Sequence, residues 1–134
     1  MSSSVSKIDV KIIFSDKQEA KAELFRHLAP TTISSILEKG TPEGRVVKFH
    51  DIFIYAPIGV VTGVEKARKK FERGEIAFIP SNGSIAIFLK NGTSHAPMNP
   101  LGKITSGIDV LENLGAGDRL KMEIEDQELS TEEV

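Results

Sequence analysis

The chain has 134 residues, of which 40% are hydrophobic and 27% charged, with a formal net charge of −2 and no cysteine. This is the composition of one ordinary globular domain, long enough to bury a core without covalent staples. It excludes disulfide frameworks, thiol nucleophiles and cysteine-based zinc sites, and its slight acidity argues against a dedicated nucleic-acid binder.

The first residues, "MSSSVSKIDV", contain no apolar segment followed by a cleavage site, and no apolar run approaches the length of a membrane span. A cytoplasmic protein with no membrane partner is the expectation. Residues 1–6 read as a disordered start, 7–125 as one domain, and 126–134 as a flexible acidic tail lacking an apolar face.

In "SKIDVKIIF", Ile8, Val10, Ile12 and Phe14 alternate with Lys7, Asp9 and Lys11, which predicts a strand with one wet face. "SDKQ" is a turn. From Glu19 to Leu24 the alternation resumes, with Ala20, Ala22 and Leu24 inward, completing a hairpin. "APTTISSILEKG" changes period: Ile33, Ile36 and Leu37 fall on one helical face, with Pro30 at the start and Gly40 at the stop. "RVVKF" and "DIFIYAP" read as two strands around a turn at His50–Asp51.

"GVEKARKKFERG" reads as a helix bounded by glycines, with Val64, Ala67 and Phe71 on one stripe and Glu65–Lys69 as an i,i+4 pair. Its basic residues lack interleaved aromatics, so a solvated helical face is expected rather than a phosphate-binding one. "GEIAFIP" and "SIAIFL" follow as strands, then an irregular loop over 91–99, a strand "LGKIT", a helix "SGIDVLENLG" and a last strand "RLKMEIE". The sum is about eight strands and two helices, which argues a closed barrel or sandwich.

Several motifs carry no chemistry. "LGKIT" lacks the Ser or Thr after Lys103 that a P-loop requires, and "GAG" at 115–117 follows a helix rather than a strand. Asn-Gly at 82 and 91 reads as turn chemistry rather than as glycosylation sites. His27, His50 and His95 have no close-spaced ligand partners, so neither a metal site nor a cofactor is expected. No pair of acids and no nucleophile–base pair announces itself, so no catalytic residue is assigned.

The stretch "GEIAFIPSNGSIAIFL" is apolar on both faces. With Asn82–Gly83 as the turn, Ile79 pairs Ala86, Phe78 pairs Ile87, and Glu75 pairs Lys90; partners share a face. One face then carries Ile76, Phe78, Pro80, Ile85, Ile87 and Leu89, which is core. The other carries Ala77, Ile79, Ala86 and Phe88, a strip of small and large residues. It is either the floor of a ligand groove or it lies under a helix or the loop 91–99.

The order of elements, and above all "GEIAFIP" and "NPLGKITSGIDVLENLGAGD", resembles the cyclophilin-like family of small prokaryotic proteins of unassigned function, over roughly Lys7 to Glu125. The resemblance implies a mainly β fold: a closed eight-stranded antiparallel barrel with two capping helices and a peptide groove on its outside. It does not carry over the residues of prolyl isomerisation. Asp51 of "FHD" stands where the family's catalytic arginine would, the next stretch "IFIYAPIG" has no glutamine, and the chain has no tryptophan. The expected function is therefore binding of a small molecule or extended peptide in an external apolar groove lined by Tyr55, Ala77, Ile79, Ala86 and Phe88, with His95 and Asn99 as polar contacts. A prolyl isomerase with a non-standard site and, by fold analogy, an amidase-type enzyme or subunit are the alternatives.

Overall fold

A computed structural model describes residues 7–14 and 18–127 of the chain. Strands β1 (Lys7–Phe14) and β2 (Gln18–Phe25) pair in continuous antiparallel register, and every residue predicted to point inward on them is buried. Their turn, the start 1–6 and the tail from 128 lie outside the described residues. Helix α1 (Pro30–Lys39) begins at a proline, whose missing N–H is no loss in a first turn, and buries Ile33 and Ile36.

The remaining elements are β3 (Glu43–Arg45), β4 (Val47–Phe49), β5 (Phe53–Pro57), β6 (Arg68–Phe71), β7 (Glu75–Ile79), β8 (Ser84–Phe88), β9 (Gly92–Ser106), α2 (Ile108–Leu111) and β10 (Arg119–Gln127). The fold is mainly antiparallel β with two helices, in the order β3-β10-β1-β2-β9-β7-β8-β5-β4, with β6 pairing β9 beside this path. β10 continues two residues past the expected domain boundary at 125, pairing Asp126 with Asp9 and Gln127 with Ile8.

The expected closed barrel of eight strands is not what forms. Among the described residues the sheet has ten strands and its hydrogen-bonded ladder is open between β3 and β4. These two edges are consecutive in the chain, joined by Val46 alone, so the sheet curls nearly onto itself. At the break the Val46 side chain enters the core, its N–H donates to Asp118 O (2.8 Å), and its carbonyl accepts from Gly117 N (2.8 Å). Across the gap β3 meets β5 by close approach: a Cβ on Gly44 would lie 2.0 Å from Pro57 O.

Four other expectations need correction. Residues 63–74 are not helical: Lys66 takes a left-handed backbone (φ 47°), the chain then extends into β6, and Val64 of the supposed buried stripe is 68% exposed. The supposed loop 91–99 is the first half of the 15-residue β9, which pairs β6 before it joins β7 and β2. The β7–β8 hairpin pairs Ile79 with Ser84 and Ala77 with Ala86, two residues away from the predicted register, with Gly83 (φ 70°) in the wider turn. A slip of two preserves side-chain parity, so both predicted faces survive. The second helix is also shorter than expected, four residues rather than a run to Gly115.

The tightest crossing is where β9 passes β2. A Cβ on Gly102 would sit 1.8 Å from Glu23 O, a backbone atom that cannot swing aside. Gly102→Ala is expected to cost about 3 kcal/mol or more in chemical denaturation. Gly63→Ala, whose Cβ would meet nothing within 4 Å, is expected to stay within about 0.5 kcal/mol of the parent.

Candidate functional site

The β7–β8 hairpin separates two apolar clusters. Ile76, Phe78, Ile85, Ile87 and Leu89 belong to the main core inside the curl, while Ala77, Ile79, Ala86 and Phe88 belong to a second cluster on the outer face. The outer strip is covered by the chain itself. Phe71 of β6 stacks on Phe88 (ring centroids 4.8 Å, 23° between planes), and Met98 of β9 packs into the same cluster. Arg68 lies over the Phe71 ring at 4.3 Å and holds Glu75 at 2.7 Å, replacing the expected Glu75–Lys90 pair. Burial pushes the Glu75 carboxyl up, but hydrogen bonds from Arg68 and the Glu72 N–H, with the Arg68 charge, bring it below the ordinary carboxylate range.

The loop leading to β6 is fastened to α1 by a carboxylate. Ala29 at the helix start offers no side-chain cap. The Glu65 carboxylate supplies one from 34 residues away: Oε2 accepts from Thr31 N (3.0 Å), and Oε1 accepts from Thr32 N (2.7 Å) and Thr32 Oγ1 (2.7 Å). These satisfy backbone donors that a helix start leaves unpaired, and the negative charge suits the helix dipole. Asn99, fully buried, completes the clasp. Its Oδ1 accepts from Glu65 N (2.8 Å), and its Nδ2 donates to Gly63 O (2.9 Å) and Thr32 Oγ1 (3.1 Å). Burial raises the Glu65 carboxyl, yet the hydrogen bonds from Thr32 and Thr31 outweigh it and hold the group below its ordinary range.

What remains accessible is the rim of the outer cluster. Phe49, Ile52 and Tyr55 are half-buried against it. The rings form a continuous path: Phe49 stacks on Phe53 (4.8 Å, 19°), Phe53 leans on Phe88 (4.8 Å, 35°) and Tyr55 (6.1 Å, 45°). Two histidines meet Phe49 edge-on, His50 at 4.6 Å and His95 at 5.8 Å. His95 reaches this position because β9 bulges at 94–97, where Ser94 Oγ donates to Ala96 O (2.6 Å). Val47, 39% exposed, pairs Tyr55 and so shares its face. Among the described residues no strand pairs the far side of β4.

The structure thus divides the seven predicted contact residues into three groups. Tyr55 and His95 stand on the rim. Ala77, Ile79, Ala86 and Phe88 form its buried support and present no open groove floor, because Phe71 and Met98 fill the space above them. Asn99 is sealed in the clasp, away from the rim. Sequence reasoning missed Phe49 on the rim and Phe53 buried beneath it, although their parity with Tyr55 across the 50–52 turn was a usable signal. It missed Phe71 because its spacing from Val64 and Ala67 imitates a helix. Among the described residues no group of three or more His, Asp or Glu is placed to hold a metal ion.

The fold and rim define a mainly β domain with a doubly covered central hairpin and an aromatic surface strip. No family model matches the sequence, and no curated protein does. Among solved structures, the chain is similar to the solution structure of the hypothetical protein AF2241 from Archaeoglobus fulgidus, with a TM-score of 0.73 and 21% identity over 92% of this chain and 98% of that one. It is also similar to McbB, solved in complex with tryptophan, with a TM-score of 0.70 and 13% identity over 91% of this chain. The match spans 46% of the McbB chain. At these identities the likeness is one of fold.

The clasp generates a pH prediction. A carboxyl held low in the folded state contributes stability that is complete above its unfolded pKa and is lost as pH falls through the folded one. Glu65→Gln is expected to cost about 1 kcal/mol at neutral pH. The gap between variant and parent should narrow as the pH drops below about 4.5, measured by thermal melts across pH 2–7. A gap independent of pH would show that the carboxylate charge is irrelevant to the cap.

Proposed function

We propose that the chain is a cyclophilin-like binding domain that holds a short extended peptide or an aromatic small molecule against the rim formed by Phe49, Tyr55 and His95. The observation that carries this reading is the path of rings from His95 through Phe49 and Phe53 to Phe88. Half-buried aromatics on a packed support offer area and a fixed shape at little cost in side-chain entropy. The edge strand β4 beside them supports an extended ligand in particular, since an unpaired edge presents backbone groups that a peptide can extend.

The reading is one of binding rather than catalysis. Prolyl isomerisation in the cyclophilin manner needs a donor to the prolyl nitrogen, and the residue in that place, Asp51, accepts hydrogen bonds when ionised. An amide-cleaving enzyme would need a general base beside a nucleophile, and the histidines on the rim pack on Phe49 instead.

Amide NMR of the protein with an Ala-Pro tetrapeptide, and separately with tryptophan, tests the reading. Saturable shifts are expected at residues 47–49, 53–55 and 95. Phe49→Ala should weaken them at least about fivefold. Shifts absent from these segments with both probes would overturn it, and accelerated cis–trans exchange of the peptide would overturn the restriction to binding.

A further inference from the structure

We propose that residues 64–71, the end of the loop together with β6, form a strap that opens as a unit while the rest of the domain stays folded. Its opening uncovers the apolar strip Ala77, Ile79, Ala86 and Phe88 on the outer face of the β7–β8 hairpin. The proposal concerns the cover and does not rest on what the rim binds. Phe71 is the only buried residue of the strap, and its ring on Phe88 is the strap's apolar hold on the strip. Met98, the other covering residue, belongs to β9 and stays with it.

The strap is held less firmly than what it covers. Among the described residues β6 pairs only β9, with a register shift between Arg68 and Lys70. β7 is paired on both sides, by β9 and β8, and β8 likewise by β7 and β5; apart from Glu75, every residue of the two is buried. A segment with little buried apolar surface and exposed backbone bonds opens at a lower free energy than a doubly paired core. Lys66 adds a local cost. Its left-handed backbone (φ 47°) is one that a residue with a side chain keeps only where its surroundings impose it, and opening relieves it.

The two ends differ in kind. At the first, one side chain is the latch: the Glu65 carboxylate accepts from Thr31 N, Thr32 N and Thr32 Oγ1 of α1, while its backbone N–H donates to Asn99 Oδ1. Gly63, just before it, has nothing within 4 Å of a Cβ position, which leaves the chain room to turn. At the other end Arg73 is the pivot. Its N–H donates to Asn91 Oδ1 (2.8 Å), and its guanidinium donates to Leu89 O (2.9 Å), Asp109 and Glu112, all outside the strap. The fastenings between the ends include two exposed contacts, Arg68 with Glu75 (2.7 Å) and Lys66 Nζ with His27 O (2.7 Å), and exposed ion pairs of this kind hold little. Releasing Glu65 therefore frees the strap to swing about Arg73.

The chain has no cysteine, so a single introduced thiol reports exposure without background. Ala77→Cys and Ala86→Cys each place one on the strip, at fully buried positions, and Ala22→Cys places one in the main core as a control. Under native conditions the strip thiols are expected to react with a thiol reagent about tenfold or more faster than the core thiol, each rate corrected for that variant's global stability. Adding Glu65→Gln should speed the strip thiols about fivefold beyond any effect on the core thiol. Strip and core thiols that react at one rate, that of global unfolding, would overturn the strap; equal acceleration of both by Glu65→Gln would overturn the latch. Native-state amide exchange of the unsubstituted protein is the second measurement. The protected amides of 68–71 are expected to share one opening free energy with weak denaturant dependence, while those of 76–79 and 85–88 exchange only by global unfolding. A common free energy and denaturant dependence for both sets would equally overturn the proposal.

Discussion

The β7–β8 hairpin is apolar on both faces, and that single constraint organises the molecule. A sheet segment with two greasy faces must be covered twice. The curl of the main sheet, with α1, covers one side. The other is covered by β6 and the first half of β9, a small outer layer whose contribution is chiefly Phe71 and Met98. The chain enters that layer through the loop at 63–67. Glu65 fixes that loop by capping α1 with its carboxylate, and its backbone N–H donates to Asn99 Oδ1 on β9. One acid thus connects a helix start, a loop and a strand, and holds the outer cover in place.

Much of this was legible from parity. Ile8, Val10, Ile12 and Phe14 announce their strand, and Ile33 and Ile36 announce α1, because each element has one wet face and one dry one. The two faces of β7–β8 were readable even though the turn was placed two residues out, since a slip of two leaves every side chain on its own side. What parity cannot reveal is which distant segment lies on a face. Phe71 sits seven residues from Val64 and four from Ala67, a helical spacing produced by an extended strand and an exposed loop. Glu65 and Lys69 likewise have the spacing of a helical pair, whereas the Glu65 carboxylate is engaged 34 residues upstream.

The site was legible to a similar depth. Tyr55 and His95 were placed on an accessible surface, while Ala77, Ile79, Ala86 and Phe88 were correctly grouped on one face whose covering remained open. The covering is a long-range property: it needs β9 to run for 15 residues and to bulge at 94–97. Burial of Asn99 follows from the same path, since the strand that lifts His95 to the rim carries Asn99 beneath the loop at 63–65. The open ladder between β3 and β4 is likewise a matter of backbone pairing, which side-chain alternation does not encode.

The covered outer face implies a division of labour. The strip beneath Phe71 is packed support, and the proposed recognition surface lies at its margin, where Phe49 and Tyr55 emerge. The claim on which this depends is that β6 lies on the hairpin in solution. Aromatic NOE spectroscopy of the protein tests it most directly. Strong cross-peaks between the Phe71 and Phe88 rings, and from Met98 methyl protons to Phe88, are predicted. Their absence, with solvent-broadened or rapidly exchanging signals for Ala77 and Ala86, would mean an open groove and would contradict the central claim.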